Sequence, residues 1–528
     1  MSKSMEELYK IIDELRSIID KQAKRIEELE ASNAQKDAEI ASLKKKLYGT
    51  GKSEKIDPKQ EELFDKDEIE LSRPNDDKLV EFEISYTRKE GKKPKLSKES
   101  KYQHLPTKEE IVYIPEEVQK NPDQYEEIGE ETTFEIEPES NRFFKIIHKR
   151  IKYKKKDDRS QAPLVEAAPK QLVQGSIAST GWVVQIILDK YLDHLPLDRQ
   201  CAIAKRIGVE VTTKNMCDWL EKAGNALEGI YNKILDMLKL ENYLQADETP
   251  IDYIPDKPPK ERCKKGCKLG YFWLLNDPSS YVYYHWSTTR SASVMTDLLG
   301  SNWNGLLQCD GYPSYKSWVN NEVNLSRLGS CLVHIRRKFK EAYERGERKY
   351  SPWFLRKIAL IYHWEESCRD QSVKEREAVR SSHYPFVFNQ ILRYMKHIQA
   401  NQRVLPQSKM GRAIHYGLDQ WEGLQECLKD GRIELDNNRI ENAVRPTKIG
   451  LKNWLFIGHQ NAGKRAAIFY TLIENCKRLK IPTATYLKDV LNQIIQYPSF
   501  DQVDYEKLLP KNWIKQNPEK MTPFQVAA

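Results

Sequence analysis

From Leu8 to Leu47 the chain keeps a seven-residue apolar repeat, and no other feature limits its folding so tightly. Ile12, Ile19, Ile26, Asn33, Ile40 and Leu47 occupy one seam position, and Leu8, Leu15, Gln22, Leu29, Lys36 and Leu43 the other. Isoleucine at a with leucine at d favours two parallel helices wound together, and a single asparagine at a fixes register and oligomer state at some cost in stability. The repeat predicts a parallel coiled coil over residues 1–50, with Ile12, Leu15, Ile19, Ile26, Leu29, Asn33, Ile40 and Leu43 as its dimerisation seam. A single amphipathic helix packed on the body of the protein is the alternative.

The 528 residues suffice for several folding units. Charged residues make up 31% of the chain, and no apolar run approaches the roughly 18 residues of a spanning helix, which excludes a membrane-embedded class. The first residues mix both signs of charge and lack a secretory pattern, so a cytoplasmic location is expected. Nine scattered cysteines fit reduced thiols better than a disulfide framework. The net charge of +8 hides strong local fields: Glu116 to Glu139 holds ten acidic residues against one lysine, and Lys145 to Arg159 eight basic against two acidic.

Residues 51–104 read as a charged linker. Its GTGKS lacks the spacing and the preceding strand of a phosphate loop, so nucleotide binding is not expected. Residues 105–165 alternate as a small β-rich module whose last strand is basic, either a phosphate-binding strand or a lysine-guarded edge. Residues 170–240 are helical by period; within them Gly208 and a cap at Thr212 or Thr213 separate two helices, the second ending near Trp219, in a helix-turn-helix pattern. Lys214 and Asn215, at the start of that second helix, are its candidate DNA contacts. Three strands, a helix and two more strands then predict an α/β sheet over 241–340. Helical sequence fills 341–430, and mostly helical sequence continues to the end.

Asp247 ends the strand-like run YLQAD and Asp310 ends GLLQCD. Two carboxylates converging at neighbouring strand ends suit a pair of Mg2+ ions in phosphoryl transfer, although aspartate is also common in turns and caps. Glu441, three residues after Asn438, has the spacing of a capping box, which is the first reading of that residue taken without its context. It stands, however, at the head of a segment carrying Arg439, Arg445, Lys448, Lys452, Lys464 and Arg465. A carboxylate leading a basic segment suits a site that handles polyanions.

LQADETP, LQCDGYPSY, CLVHIRRKF, LDNNRIENAVRP, KNWLFIG and LIENCKRLKIPTATYLKDVL together resemble the transposases of bacterial insertion sequence family sixty-six. The resemblance runs from the zipper to KNWI at 511–514. It implies an α/β fold: a ribonuclease-H-like mixed-sheet catalytic core (241–340 and 431–475) with a helical insertion (341–430), preceded by the coiled coil, the β-rich module and the helix-turn-helix region, and followed by a helical tail (476–528). It also implies that Asp247, Asp310 and Glu441 are the catalytic and metal-holding acids of a DDE site, 63 and 131 residues apart.

One departure stands out. Family members usually carry a cysteine-paired zinc module before the helix-turn-helix, whereas no cysteine lies between Tyr48 and Gln200. No zinc is expected there, and the lone pair Cys263 and Cys267 has no second pair at zinc-ribbon distance.

The implied function is a DNA transposase that binds its element's terminal inverted repeats as a homodimer or higher homo-oligomer and uses two Mg2+ (or Mn2+) ions to cut DNA and join it to target DNA. Arg336, Arg337, Lys338, Arg445, Lys448 and Lys452 are candidate DNA contacts, and His334 either faces the site or DNA or is a helix-start residue near a phosphate-binding basic face. Small accessory proteins of the same element are implied partners, and nucleoid association follows from DNA binding. The rival readings are a catalytically inactive, transposase-derived DNA-binding regulator and a nuclease that cuts without joining.

Overall fold

The structure, a computed structural model, describes residues 102–521 apart from 140–141, 158–159, 161, 257–265 and 321–324. The coiled-coil seam, most of the linker and Cys263 lie outside the described residues.

A four-stranded sheet comes first, from β1 (Thr107–Tyr113), β2 (Tyr125–Glu139), β3 (Arg142–Lys155) and the short β4 (Leu164–Val165). Its order is β1-β3-β2, with β4 on β3, so the basic strand is central and the reading of it as a solvated edge is corrected. The reason is charge. Lys149 pairs with Glu110 of β1 at 2.9 Å, while Arg150 and Lys152 both meet Glu131 of β2. Such half-exposed pairs add little stability singly, but a slipped register would set like charges side by side, so they select this pairing.

Helices α1 (Thr180–Tyr191), α2 (Leu197–Arg206) and α3 (Thr213–Lys239) follow. Gly208 turns the chain between α2 and α3 with φ +89°, where a side chain would also strike His104. Thr212 caps α3 through a reciprocal capping box with Asn215. The helix runs twenty residues past Trp219, where the sequence reading ended it. Met216, Leu220, Ala223, Leu227, Ile230, Ile234 and Leu238 continue its buried stripe at helical spacing, and nothing breaks it.

The second sheet is built from β5 (Tyr243–Tyr253), β6 (Lys268–Asn276), β7 (Val282–Ser287), β8 (Leu306–Cys309) and β9 (Arg327–Ser330), with α4 (Ser293–Leu299) and α5 (Pro313–Val319) between its later strands. Its order is β7-β6-β5-β8-β9: β5, β6 and β7 pair antiparallel, and β5, β8 and β9 parallel.

Four longer helices dominate the stretch that follows, α6 (Leu332–Glu344), α7 (Ser351–Ser367), α8 (Val373–Ala400) and α9 (Lys409–Asp419), with a short helical turn over Trp421–Gln425 after them. They share a core of their own, in which Phe339 and Phe354 stack with centroids 4.3 Å apart, and Tyr243 and Leu306 join it to the sheet. The chain returns through α10 (Asn438–Trp454), α11 (Gln460–Arg478) and α12 (Thr483–Ile494). Asn475 and Thr471 of α11 accept hydrogen bonds from Val282 N (2.9 Å) and Tyr284 N (3.0 Å), closing the free edge of β7.

Candidate active site

YLQAD and LLQCD share Leu-Gln-x-Asp, and the sheet pairs them in that register: Leu244 lies beside Leu307 and Gln245 beside Gln308. Two residues further, at the same offset, stand Asp247 on β5 and Asp310 just past β8. Alternation along a strand puts each aspartate on the face of its glutamine. The glutamines are fully buried and joined: Gln245 Nε2 donates to Gln308 Oε1 at 3.1 Å, and Asn276 of β6 donates to Gln245 Oε1 at 2.6 Å.

Glu441 arrives from the distant α10. The capping box that its spacing allowed does not form: Asn437 is the N-cap and makes no side-chain cap bond, and the Asn438 N–H is taken by Asp436 Oδ1 at 3.0 Å. The Glu441 carboxylate turns instead toward α6, where His334 Nε2 and Arg337 approach its Oε1 at 3.7 and 3.8 Å. Burial lowers the His334 pKa, so the ring is neutral near pH 7, and its Nδ1 is buried without a partner.

The three acids feel one another. Burial, together with the charges of Glu248, Asp310 and Glu441, pushes the Asp247 carboxyl up to about 7. Among the described residues no three His, Cys, Asp or Glu side chains stand close enough to form a ready metal cage, so the acids are neighbours rather than a preformed ligand set.

This crowding has a consequence for stability. An aspartate titrating near 7 when folded and near 3.8 when unfolded contributes stability that is complete below about pH 4 and lost as pH rises toward 7. With metal chelated, Asp247→Asn is expected to stabilise the fold at pH 8 by about 2–4 kcal/mol, and the gain should vanish toward pH 4. Urea unfolding at the two pH values measures it, and equal stabilities at pH 8 would refute the crowding.

Glu441, Arg445, Lys448 and Lys452 recur at helical spacing and share one face of α10. Arg445 and Lys452 are exposed, whereas Lys448 Nζ donates to Pro250 O on β5 at 3.1 Å and feels the charge of Asp247. On α6, Arg336 and Arg337 are exposed and Lys338 lies over the Tyr416 ring at 5.7 Å. Lys214 and Asn215 are exposed in the first turn of α3, in a different part of the fold, and Asn215 Oδ1 is committed to the cap.

Several supporting residues escaped the sequence reading. Glu248 is buried beside Asp247, bonded to Tyr315 OH and to Arg290, whose Nε lies 2.9 Å away; the guanidinium stacks on Tyr312 at 3.4 Å. Tyr312 N in turn donates to Asp310 Oδ1 at 2.9 Å, so this chain of contacts fixes the second aspartate's turn. The signal for the glutamines was their identical place in two apolar strands, while Arg290 and Tyr416 gave none.

Comparison with known proteins gives the family. Residues 175–465, just over half of the chain and a span containing all three acids, match the model described as Transposase IS66 family. The uncharacterized protein y4jD of Sinorhizobium fredii is 30% identical over 363 residues, covering 67% of this chain and 69% of that one. The uncharacterized protein y4qI of the same organism is 28% identical over 399 residues, covering 73% and 72%. The chain belongs to the IS66 transposase family.

Proposed function

We propose that the chain is a DDE transposase, whose second sheet is a ribonuclease-H-like core and whose residues 341–430 are a helical insertion between the second and third acids. The observation that carries this reading is the in-register Leu-Gln-x-Asp pair, with Glu441 near enough for its charge to act on Asp247. The strand order, three antiparallel strands followed by two parallel ones, supports the core assignment.

Asp247, Asp310 and Glu441 are hard oxygen donors in a crowd of unbalanced negative charge, which fits Mg2+ or Mn2+. Bound there, divalent ions supply Lewis-acid stabilisation of the oxygens that attack and leave. Two ions and this ligand set are part of the proposal. The chain's own residues do the rest. Arg445, Lys448 and Lys452 track phosphates along α10, Arg336, Arg337 and Lys338 do so along α6, and neutral His334 orients Glu441. Water adds in line to phosphorus at the element's end and the P–O3′ bond breaks; the leaving O3′ takes up one proton to become a 3′-hydroxyl, the new phosphate keeps the water's oxygen, and the second proton goes to solvent. That hydroxyl then attacks a target phosphodiester, forming one P–O bond as another breaks. Lys214 and Asn215 on the α2–α3 pair, read as a helix-turn-helix, contact the terminal repeats, and the zipper pairs two chains. No described helix is long and apolar enough to cross a membrane.

Strand transfer tests the function. Supplied with pre-cut ends of the DNA flanking its gene and Mg2+ or Mn2+, the protein should join them to a plasmid. Binding without joining would favour the regulator, and cutting of uncut ends without joining would favour the nuclease.

The cationic face gives a separate prediction. Arg445→Ala and Lys448→Ala should each weaken binding on all duplexes alike and reduce the slope of log K against log salt by about one. A titration between about 50 and 200 mM salt reads this, and an unchanged slope would remove these residues from the interface.

A further inference from the structure

Beside the acids, between α6 and the α8–α9 turn, lies a cleft of about 1000 Å³, of whose lining the mechanism above uses Lys338 alone. Its link to the site is direct: Tyr416, in its wall, donates its hydroxyl to the main-chain oxygen of Asp310 at 2.5 Å. Helix α6 also faces both ways, with His334 and Arg337 toward Glu441 and Lys338 toward the cleft.

The lining has a particular chemistry. Gln399, Gln402 and Gln407 offer amides that both donate and accept. The two lining acids are already neutralised, Glu341 by Lys409 at 3.6 Å and Asp419 by Lys316 at 2.5 Å. Lys338 and Arg412 make no ion pair among the described residues, so the cleft is cationic on balance. On its rim Leu405 is 77% exposed, carried by a turn in which Gln402 holds the left-handed φ of +48° that a non-glycine residue adopts only under constraint.

Cations suit phosphates, amides suit the edges of bases, and a bare leucine beside them suits the gap left in a base stack. A cleft of about 1000 Å³ is too small to admit a duplex, so the bases that enter it must be unpaired. Building on the transposase reading above, we propose that this cleft takes one or two bases drawn out of the duplex next to the scissile phosphate, with Leu405 filling the space they leave. Unpairing beside the cut releases the strand to bend into the acids, and the amides hold the extruded bases.

The test uses full-length protein and duplexes from the border of the element that encodes it, with 2-aminopurine placed at successive positions around the cut. Binding should raise fluorescence severalfold at one or two adjacent positions, and Leu405→Ala should remove the rise. Leu405→Ala should also slow cutting of fully paired ends by about tenfold or more, while ends carrying mismatches at those positions should restore it to within about threefold of the unmutated protein. A mobility shift without any fluorescence rise, or a Leu405→Ala protein equal to the unmutated one on paired ends, overturns the cleft and leaves the transposase reading standing. A rise without any joining of pre-cut ends has the opposite meaning: it overturns strand transfer and supports the cleft.

Discussion

Asp247→Asn, Asp310→Asn and Glu441→Gln proteins should bind element DNA as the unmutated chain does and cut it at least about 1000-fold more slowly. Each change keeps size and hydrogen bonding and removes one negative charge, so what is lost is the field that gathers cations and balances charge at the phosphorus. The pattern across the three is diagnostic. Glutamine serves as well as glutamate at the third position of a capped helix, so a Glu441 that only ended a helix would tolerate the change. Unimpaired cutting by Glu441→Gln would therefore remove the third acid, and loss of DNA binding in all three would mean that the fold, not the chemistry, had been damaged.

The second large effect lies far from the acids, at Arg380. Its side chain has no exposed surface, forks onto Glu365 at 2.6 and 3.0 Å, and donates to the carbonyls of Cys427 (3.1 Å) and Ile433 (2.7 Å). It thus ties the long helical stretch to the loop by which the chain re-enters the sheet. From there Glu434 continues inward: its carboxylate accepts from Gln245 at 3.2 Å, its carbonyl accepts from Gln308 at 2.6 Å, and Glu441 follows seven residues on. Arg380→Ala leaves Glu365 and the two carbonyls short of a buried donor, and should cost about 3–5 kcal/mol. Arg380→Lys should restore little, because an ammonium cannot span the fork and the carbonyls together. Urea unfolding reads the loss, and a change under about 1 kcal/mol for Arg380→Ala would contradict this account of how the third acid is anchored.

The sequence made some of this legible and hid the rest for physical reasons. Asp310 was readable because strand ends announce themselves in apolar runs, and Asp247 because its run is the same. The reading of Asp247 as a strand end is corrected, however: β5 continues past it to Tyr253, paired with β6 throughout. Glu441 was ambiguous, since the spacing of a capping box is local while the contacts that decide against it, His334 and Arg337, come from more than a hundred residues away. Charge runs showed strength and not partners, which is why basic β3 read as an edge when acidic β1 and β2 enclose it. Arg380 was invisible for the same reason: a lone arginine in a charged helix looks solvated until the loop that it holds is folded against it. The zipper seam remains a property of the sequence alone.

The central claim, that the three acids form one cation site, can be read without any reaction. Fe2+ loaded in place of Mg2+, with ascorbate and peroxide added, generates hydroxyl radicals that cut the protein backbone beside the bound ion. The account predicts cuts near residues 247, 310 and 441 that appear together, disappear together with excess Mg2+, and are lost at all three places in Asp247→Asn. Cuts near 247 and 310 without one near 441, or none that Mg2+ competes away, would contradict it.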